Sequence, residues 1–292
     1  MTATTLAPAD RFDMAAAPMR IGRVRLAVRD LERVSRFYRD VLGLALVEDR
    51  GETHLLGAGN TPFLELHGDA ALAAPARSDA GLFHTAFLLP ARADLGRWLA
   101  FAAEAGLRLQ GASDHKVSEA VYLSDPEGNG IEIYADRSPA GWTNADGDIE
   151  MSTDPLDAES LLAEAAGTRW TGAPAGTIVG HVHLQVGDTA EAERFYAGLL
   201  GFDVSKRYPG ASFFGSGGYH HQLAGNIWNS RGALPRKPGH AGLAGLEIVV
   251  GDRERLASLA RKAAAAGLEA VAGEGELRLR DPWGTQVLLT AG

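Results

Sequence analysis

The sequence predicts an α+β fold in which four βαβββ modules form two domains with concave mixed sheets. Three observations support this: a length of 292 residues, an apolar content of 46%, and a long internal repeat. A chain of this length can bury a substantial core, and at roughly 100–200 residues per domain it is expected to contain two domains. The 36 glycines indicate many tight connections.

The repeat starts at Val24 and returns at Val182. VRLAVRDLERVSRFYRDVLGL reappears as VHLQVGDTAEAERFYAGLLGF at a constant offset of 158 residues. A weaker pair starts at Ala105 and Ala266, and both copies contain an Ala-Gly-Leu helix end and an Asp-Pro-x-Gly turn. Because self-similarity at a fixed offset marks duplicated units, the predicted order is A-B-A′-B′.

Each A module begins with a strand and continues with an amphipathic helix. Apolar residues alternate with polar or small ones over residues 24–28, which is the period of a half-buried strand. Asp30 is a predicted N-cap, and the helical apolar stripe that follows ends at Gly43, a predicted left-handed C-cap. The runs Thr53–Leu56 and Phe63–Leu66 predict further strands.

The B modules follow the same plan. GLFHTAFLLP predicts a strand, residues 91–106 a helix, and EAVYLSDPEGNGIEIY two strands joined by a turn. The predicted organisation is a flexible N-terminal arm at 1–19, a first domain at 20–137, a linker at 138–177 with a short helix around Leu156–Ala165, and a second domain at 178–292.

Charge and composition exclude several functions. The chain has 28 Lys and Arg against 37 Asp and Glu, a net charge of −9, and no basic block interleaved with aromatic residues, so nucleic acid is not expected as a partner. With no cysteine, any metal must bind His and carboxylate side chains. The N-terminus lacks a signal-peptide pattern and no run is long enough to span a membrane, so a cytoplasmic location is expected.

Several strands carry a ligand-type side chain on the face opposite the predicted core. His181 and His183 alternate with core residues in one strand, His84 lies within LFHTAFLL, and Glu132 lies between two isoleucines. Each residue alone is more often structural or solvated. Together, two imidazoles and a carboxylate facing one cavity would cost desolvation energy that a divalent cation could offset.

These motifs resemble those of the vicinal oxygen chelate superfamily, which includes glyoxalase I, fosfomycin and bleomycin resistance proteins and extradiol dioxygenases. The resemblance rests on the VxLxVxDLxxxxxFYxxxLG repeat and the Asp-Pro-x-Gly-x-x-Ile-Glu end, and it covers residues 20–137 and 178–292. More narrowly, GLFHTAFLLP, LQGASDHKVSEAVYLSDPEGNGIEIYADR and GYHHQLAGNIWNSRGA are similar to two-domain catechol 2,3-dioxygenase-like proteins.

The resemblance implies metal ligands on the first and last strands of a module. At these positions modules 1 and 4 hold Arg23, Gly245 and Leu288, whereas modules 2 and 3 hold His84, Glu132 and His181. Pairing modules 1 with 2 and 3 with 4 would leave neither sheet with three good ligands. The swapped pairing that the superfamily implies places all three in the sheet of modules 2 and 3, so one metal site per chain is expected.

Two histidines and a carboxylate that leave open positions are associated with non-haem Fe(II) and O2 chemistry, and Mn(II) suits the same ligands. The resemblance then implies extradiol cleavage of a catechol-type aromatic diol by O2. His115 is the candidate acid/base, since imidazole accepts and returns protons near neutral pH. Tyr122, ten residues before Glu132, matches a family tyrosine near the metal and could bind a substrate oxygen.

The substrate pocket is expected to be walled by four residues of module 3: His221, Gln222, Asn226 and Trp228. His220 and His221 are adjacent, so a strand would send at most one of them into the cavity. His183, Lys116 and His240 are expected to be structural or to lie at the surface.

Two other functions fit the same residues. A glyoxalase I-like metal-dependent isomerase or lyase would use Gln222 as a fourth ligand. A metal-free drug-binding resistance protein would use the concave sheet only to sequester a hydrophobic molecule. For the dioxygenase, the expected partners are a small aromatic diol and O2. The chain could also form a homo-oligomer.

Overall fold

The computed structural model describes residues 11–165 and 167–292; the first ten residues of the expected N-terminal arm lie outside them. Module 1 contains β1 (Met19–Val28), α1 (Leu31–Val41), β2 (Ala45–Asp49), β3 (Thr53–Ala58) and β4 (Thr61–Gly68). Module 2 contains β5 (Gly81–Leu88), α2 (Arg92–Glu104), β6 (Gly111–Asp114), β7 (Ser118–Ser124) and β8 (Gly130–Asp136).

The second half repeats this order. Module 3 contains β9 (Ile178–Gln185), α4 (Thr189–Ala192) with a π-helical continuation (Glu193–Leu199), β10 (Asp203–Tyr208), β11 (Ala211–Gly215) and β12 (Leu223–Asn226). Module 4 contains β13 (Gly242–Val250), α5 (Arg253–Ala265), β14 (Val271–Gly273), β15 (Glu276–Arg280) and β16 (Gln286–Ala291). The predicted α+β fold of four βαβββ modules is therefore confirmed.

Local sequence signals determine the ends of α1. The Asp30 side chain accepts a hydrogen bond from the backbone N–H of Arg33, as expected of an N-cap. Gly43 has a φ of 70°, the left-handed conformation predicted for it, and a Cβ at this position would lie 2.5 Å from Gly172. The corresponding helix of module 3 differs, because its wide π-helical turn buries Phe195 together with Tyr196.

Two eight-stranded sheets combine modules from opposite halves of the chain. Their strand orders are β14-β15-β16-β13-β1-β4-β3-β2 and β10-β11-β12-β9-β5-β8-β7-β6. Thus modules 1 and 4 share one sheet, and modules 2 and 3 share the other through the antiparallel β5–β9 pair. This is the pairing expected from the distribution of ligand-type residues.

Buried tyrosine–aspartate contacts tie together the modules that follow one another in sequence. The hydroxyl of Tyr38 on α1 lies 3.4 Å from Asp125 in the Asp-Pro-x-Gly turn of module 2. The equivalent pair in the second half, Tyr196 and Asp281, is separated by 2.9 Å. Each aspartate also accepts backbone N–H groups of its own turn. The two repeated motifs therefore meet on the helix side of the sheets.

The segment between the two halves packs against module 2. Its helix α3 (Ala158–Glu164) lies so close to α2 that a Cβ on Gly96 would be 2.3 Å from the carbonyl oxygen of Leu161. Trp142 is buried together with Met14 from the described part of the expected N-terminal arm. Among the described residues, no helix is long and apolar enough to cross a lipid bilayer.

Candidate metal centre

Three adjacent strands place the ligand-type side chains on one face of the second sheet. In the strand registers, Ala86 on β5 is paired with Glu132 on β8 and with His181 on β9. His84 lies two residues before Ala86 and therefore points to the same face. Because alanine is small, the imidazoles and the carboxylate can converge above it.

The three side chains meet at a single point. Nε2 of His84 lies 2.9 Å from Oε2 of Glu132, and Nε2 of His181 lies 3.1 Å from the same oxygen. One donor atom from each residue lies within 4.8 Å of the other two. All three residues are buried.

The electrostatics of the cluster favour the protonation states that bind a metal. Burial would raise the pKa of the Glu132 carboxyl, but His181 and His84 outweigh this effect and hold that pKa well below its usual range. Burial lowers the pKa of His181 despite the opposing attraction of Glu132. An anionic carboxylate beside a neutral imidazole is the state in which both act as metal ligands.

The hydrogen bonding of the cluster is incomplete, which fits a bound cation. Although Nε2 of His84 is close to Glu132, it has no aligned hydrogen-bond partner and is buried. Burying a polar atom without a partner costs free energy. A divalent ion bound by all three side chains would remove that cost. Two His and one carboxylate with open positions are typical of non-haem Fe(II) sites, and Mn(II) accepts the same donors.

A cavity of about 300 Å³ opens above the three side chains. Its wall includes the aromatic side chains of Phe83, Tyr208, Phe213 and Trp228. Residues 151–153, from the segment between the two halves, form another part of the wall. A mostly apolar pocket with a few convergent polar groups is the usual form of a small-molecule site.

Both predicted catalytic residues line this cavity, and they contact each other. The Tyr122 hydroxyl lies 2.6 Å from Nε2 of His115, and Nδ1 of His115 lies 2.6 Å from the carbonyl oxygen of Ser152. Since a carbonyl can only accept, Nδ1–H of His115 donates to Ser152, and Nε2 is the acceptor for the Tyr122 hydroxyl. Burial, followed by the charge of Glu132, raises the pKa of Tyr122 well above its usual value, so the phenol remains protonated.

His221 is held by a buried hydrogen-bond chain. Its Nδ1 lies 2.9 Å from Nδ1 of His220, whose Nε2 lies 2.9 Å from Oδ1 of Asp136. His221 lines the cavity, whereas His220 belongs to this supporting chain, so only one of the adjacent histidines enters the cavity. Burial, with a smaller effect of His181, lowers the pKa of His221 well below its usual range.

The structure separates the four candidate substrate-binding residues into two pairs. His221 and Trp228 line the cavity, but Gln222 and Asn226 do not. The Gln222 amide donates to the carbonyl oxygen of Ser216, and Oδ1 of Asn226 accepts from the backbone N–H of Trp228. Both side chains are fully buried. The expectation that they form the pocket wall does not match their positions.

Sequence reasoning assigned no site role to His183, yet this residue lines the cavity. It pairs with His84 across the β5–β9 ladder, and the two rings are 4.9 Å apart. Burial lowers its pKa well below the usual histidine range. The signal was its two-residue spacing from His181, which places both on one face. Residues 151–153 were also missed, and no periodic pattern marks them.

The other sheet has different residues at the equivalent positions. Arg23 and Glu65 form an ion pair of 3.3 Å where the second sheet has His84 and Glu132. Among the described residues, His84, Glu132 and His181 are the one group of three His, Asp or Glu side chains close enough to bind a common ion. The concave face of modules 1 and 4 therefore carries the Arg23–Glu65 ion pair at two of the equivalent positions.

Comparisons with known proteins agree with this architecture. The model of the Glyoxalase/Bleomycin resistance protein/Dioxygenase superfamily matches residues 20–133 and 178–288. The chain is 42% identical over 268 residues to a protein named catechol-2,3-dioxygenase from Bacillus subtilis (strain 168), covering 90% of this chain and 93% of that protein.

Solved structures share the fold at low sequence identity. The superposition on glyoxalase I from Zea mays has a TM-score of 0.58 at 17% identity, and it covers 95% of this chain and 94% of that protein. The superposition on the cppA protein from Streptococcus pneumoniae TIGR4 has a TM-score of 0.56 at 12% identity, and it covers 94% of this chain and 99% of that protein. With the family match over both halves, these findings show that the chain belongs to the glyoxalase, bleomycin resistance protein and dioxygenase superfamily.

Proposed function

We propose that this protein is an extradiol dioxygenase that opens a catechol-type aromatic diol beside its two hydroxyl groups and incorporates both atoms of O2. The observation that carries the proposal is the convergence of His84, Glu132 and His181 beneath an aromatic-lined cavity. The relative named catechol-2,3-dioxygenase, 42% identical over nearly the full chain, supports the same assignment.

The three ligands would hold a divalent metal, and Fe(II) is proposed because the reaction uses O2. When bound, iron supplies a site where a catecholate and O2 can exchange charge. Mn(II) fits the same donor set. The apolar wall of the cavity would exclude water from the reacting ring, which strengthens electrostatic interactions within the site.

His221 is proposed to receive a proton from a bound diol. When Nδ1 of His220 accepts, His221 donates to it from Nδ1 and keeps a lone pair on Nε2. The lowered pKa of His221 keeps the ring neutral at neutral pH. His221 thus joins the residues proposed for acid/base chemistry, for which the sequence indicated His115.

Tyr122 and His115 would act together on the other side of the cavity. The Tyr122 hydroxyl donates to His115. The lone pairs of the phenol oxygen therefore remain available to accept a hydrogen bond from the substrate. Because His115 is in turn fixed by Ser152, the phenol is held in one orientation. The proposed role of His115 is to accept the hydrogen bond of the phenol and so to position Tyr122.

The position of Gln222 gives the glyoxalase-type alternative less support than the dioxygenase. Gln222 would have to supply a fourth ligand, but its amide nitrogen contacts the Ser216 carbonyl and its side chain lies outside the cavity wall. A metal-free drug-binding function predicts a protein that purifies without metal and binds no added Fe(II).

The test is to purify the protein anaerobically, load it with Fe(II), and supply catechol and O2. The expected product is a yellow muconic semialdehyde, formed with one O2 consumed per catechol. Glu132→Ala should lose both metal and activity, whereas Glu65→Ala, at the equivalent position of the other sheet, should keep both. Metal retention without ring cleavage of any catechol, together with thiol-hemiacetal isomerisation, would favour the glyoxalase-type function instead. The cytoplasmic location and homo-oligomer formation stay predictions.

A further inference from the structure

Lys206 provides a positive charge in the wall of the cavity above the metal centre. Among the described residues that line this cavity, it is the only lysine or arginine. Its Nζ donates to the carbonyl oxygen of Ile149 at 3.3 Å, and the described residues give it no ion pair. The next residue, Arg207, points to the opposite face and pairs with Glu193 at 2.7 Å.

A β-bulge places this lysine on the cavity side of the sheet. Val204 is paired with Phe214, a fully buried core residue, and Lys206 is paired with Phe213, which lines the cavity. In a regular strand residues 204 and 206 would share a face, and the ammonium group would enter the core. The extra residue, Ser205, shifts the register and turns Lys206 to the cavity.

The surroundings of Lys206 suit an anionic group on an aromatic ligand. Tyr208, two residues further along the same strand, and Trp228 line the same cavity and are about half exposed, at 52% and 47%. A lysine with one carbonyl partner retains donors for a further acceptor. Glu150, next to Ile149, is near enough for Lys206 to help lower its pKa, but it pairs with Lys116. A cation beside aromatic surfaces with no carboxylate at ion-pair distance has the character of a recognition site for an acid.

We propose that Lys206 selects catechol-type substrates that carry an anionic substituent, such as a ring carboxylate, over neutral ones. This inference rests on the proposed dioxygenase function. The hydroxyl groups would face His84, Glu132 and His181, and the anionic substituent would lie against the ammonium of Lys206. Lys206 is thus a specificity-determining residue.

The test compares 3,4-dihydroxybenzoate with 4-methylcatechol, which have substituents of similar size but different charge. The wild-type protein is expected to prefer the acid, both in kcat/KM with Fe(II) and in Kd measured by anaerobic calorimetry. Lys206→Met removes a hydrogen bond to a charged group. It should therefore lower the preference for 3,4-dihydroxybenzoate over 4-methylcatechol roughly 10- to 100-fold, both in kcat/KM and in Kd. Lys206→Arg should retain most of the preference, and Lys237→Met, at an exposed lysine, should match the wild type.

Two results would overturn the inference: equal affinity of the wild type for the two ligands, or an equal loss for both ligands in Lys206→Met. The second result would limit the role of Lys206 to its hydrogen bond with the Ile149 carbonyl. If no catechol is cleaved, the dioxygenase function fails, while calorimetry still decides the role of Lys206. If catechol is cleaved without a charge preference, only the inference about Lys206 fails.

Discussion

Replacing Glu132 with glutamine should abolish metal-induced stabilisation while leaving the fold intact. The substitution keeps the shape of the side chain but removes the only anionic donor from the cluster with His84 and His181. The glutamine amide can still hydrogen-bond to the neighbouring imidazoles, so no buried polar group loses its partner, and the metal-free variant is expected to fold and unfold cooperatively. Metal affinity, in contrast, should fall at least ~100-fold, because neutral donors cannot compensate the charge of the ion.

The size of the effect follows from mass action. A metal present at 100 times its Kd stabilises the wild-type fold by about 2.7 kcal/mol. For a chain of this size ~1 kcal/mol shifts Tm by roughly 2 °C, which gives a rise of about 5 °C. If the Kd of Glu132→Gln is ~100-fold weaker, the same metal concentration yields only about 0.4 kcal/mol, or a rise of about 1 °C.

The assay is thermal unfolding followed by fluorescence with and without Mn(II), which avoids oxidation of iron during the scan. Glu65→Gln is the matched control, since Glu65 is paired with Arg25 as Glu132 is paired with Ala86. It should retain the full rise. A Glu132→Gln protein that shows the wild-type rise, or a Glu65→Gln protein that loses it, would refute the location of the metal site.

Three further substitutions test other parts of the structure. Tyr122→Phe should retain metal but lower kcat on the order of 10²-fold, because the hydroxyl that faces the cavity is lost; unchanged kcat would remove it from the reaction. Tyr196→Phe should lower the free energy of unfolding by about 1–3 kcal/mol in urea, because an oxygen of buried Asp281 loses its partner; an unchanged midpoint would contradict this. Gly180→Ala should cost about 1–3 kcal/mol in the same assay, since its Cβ would lie 1.8 Å from the Tyr134 hydroxyl, and wild-type stability would contradict the close packing.

Much of the fold could be predicted because its signals are local. The alternation of β1, the Asp30 N-cap and the left-handed Gly43 each depend on a few adjacent residues. Because the sequence repeats, the same elements could be predicted in the second half. The π-helical turn after α4 could not be predicted in this way, since no adjacent residues signal it and its buried Tyr196 contacts Asp281, which is distant in sequence.

The candidate site was predictable where strand period determines which face a side chain occupies. His84, Glu132 and His181 were placed by alternation, and module pairing then brought them together. Gln222 was misplaced because β12 begins only at Leu223, and YHHQLAG has no alternation that reveals this start. Lys206 was not singled out because its orientation depends on a bulge, which has no signal in the sequence of one strand alone.

The same strand geometry explains why one sheet concentrates the ligands and the other does not. In the sheet of modules 1 and 4, Arg25 is paired with Gly245, as Ala86 is paired with His181 in the other sheet. A Cβ on Gly245 would lie 2.7 Å from Nη2 of Arg25 and 2.9 Å from the carbonyl oxygen of Gln286. The guanidinium thus occupies the space that an imidazole would need. A single histidine introduced at position 245 could not restore a site there, because Arg25 would also have to become small, as Ala86 is.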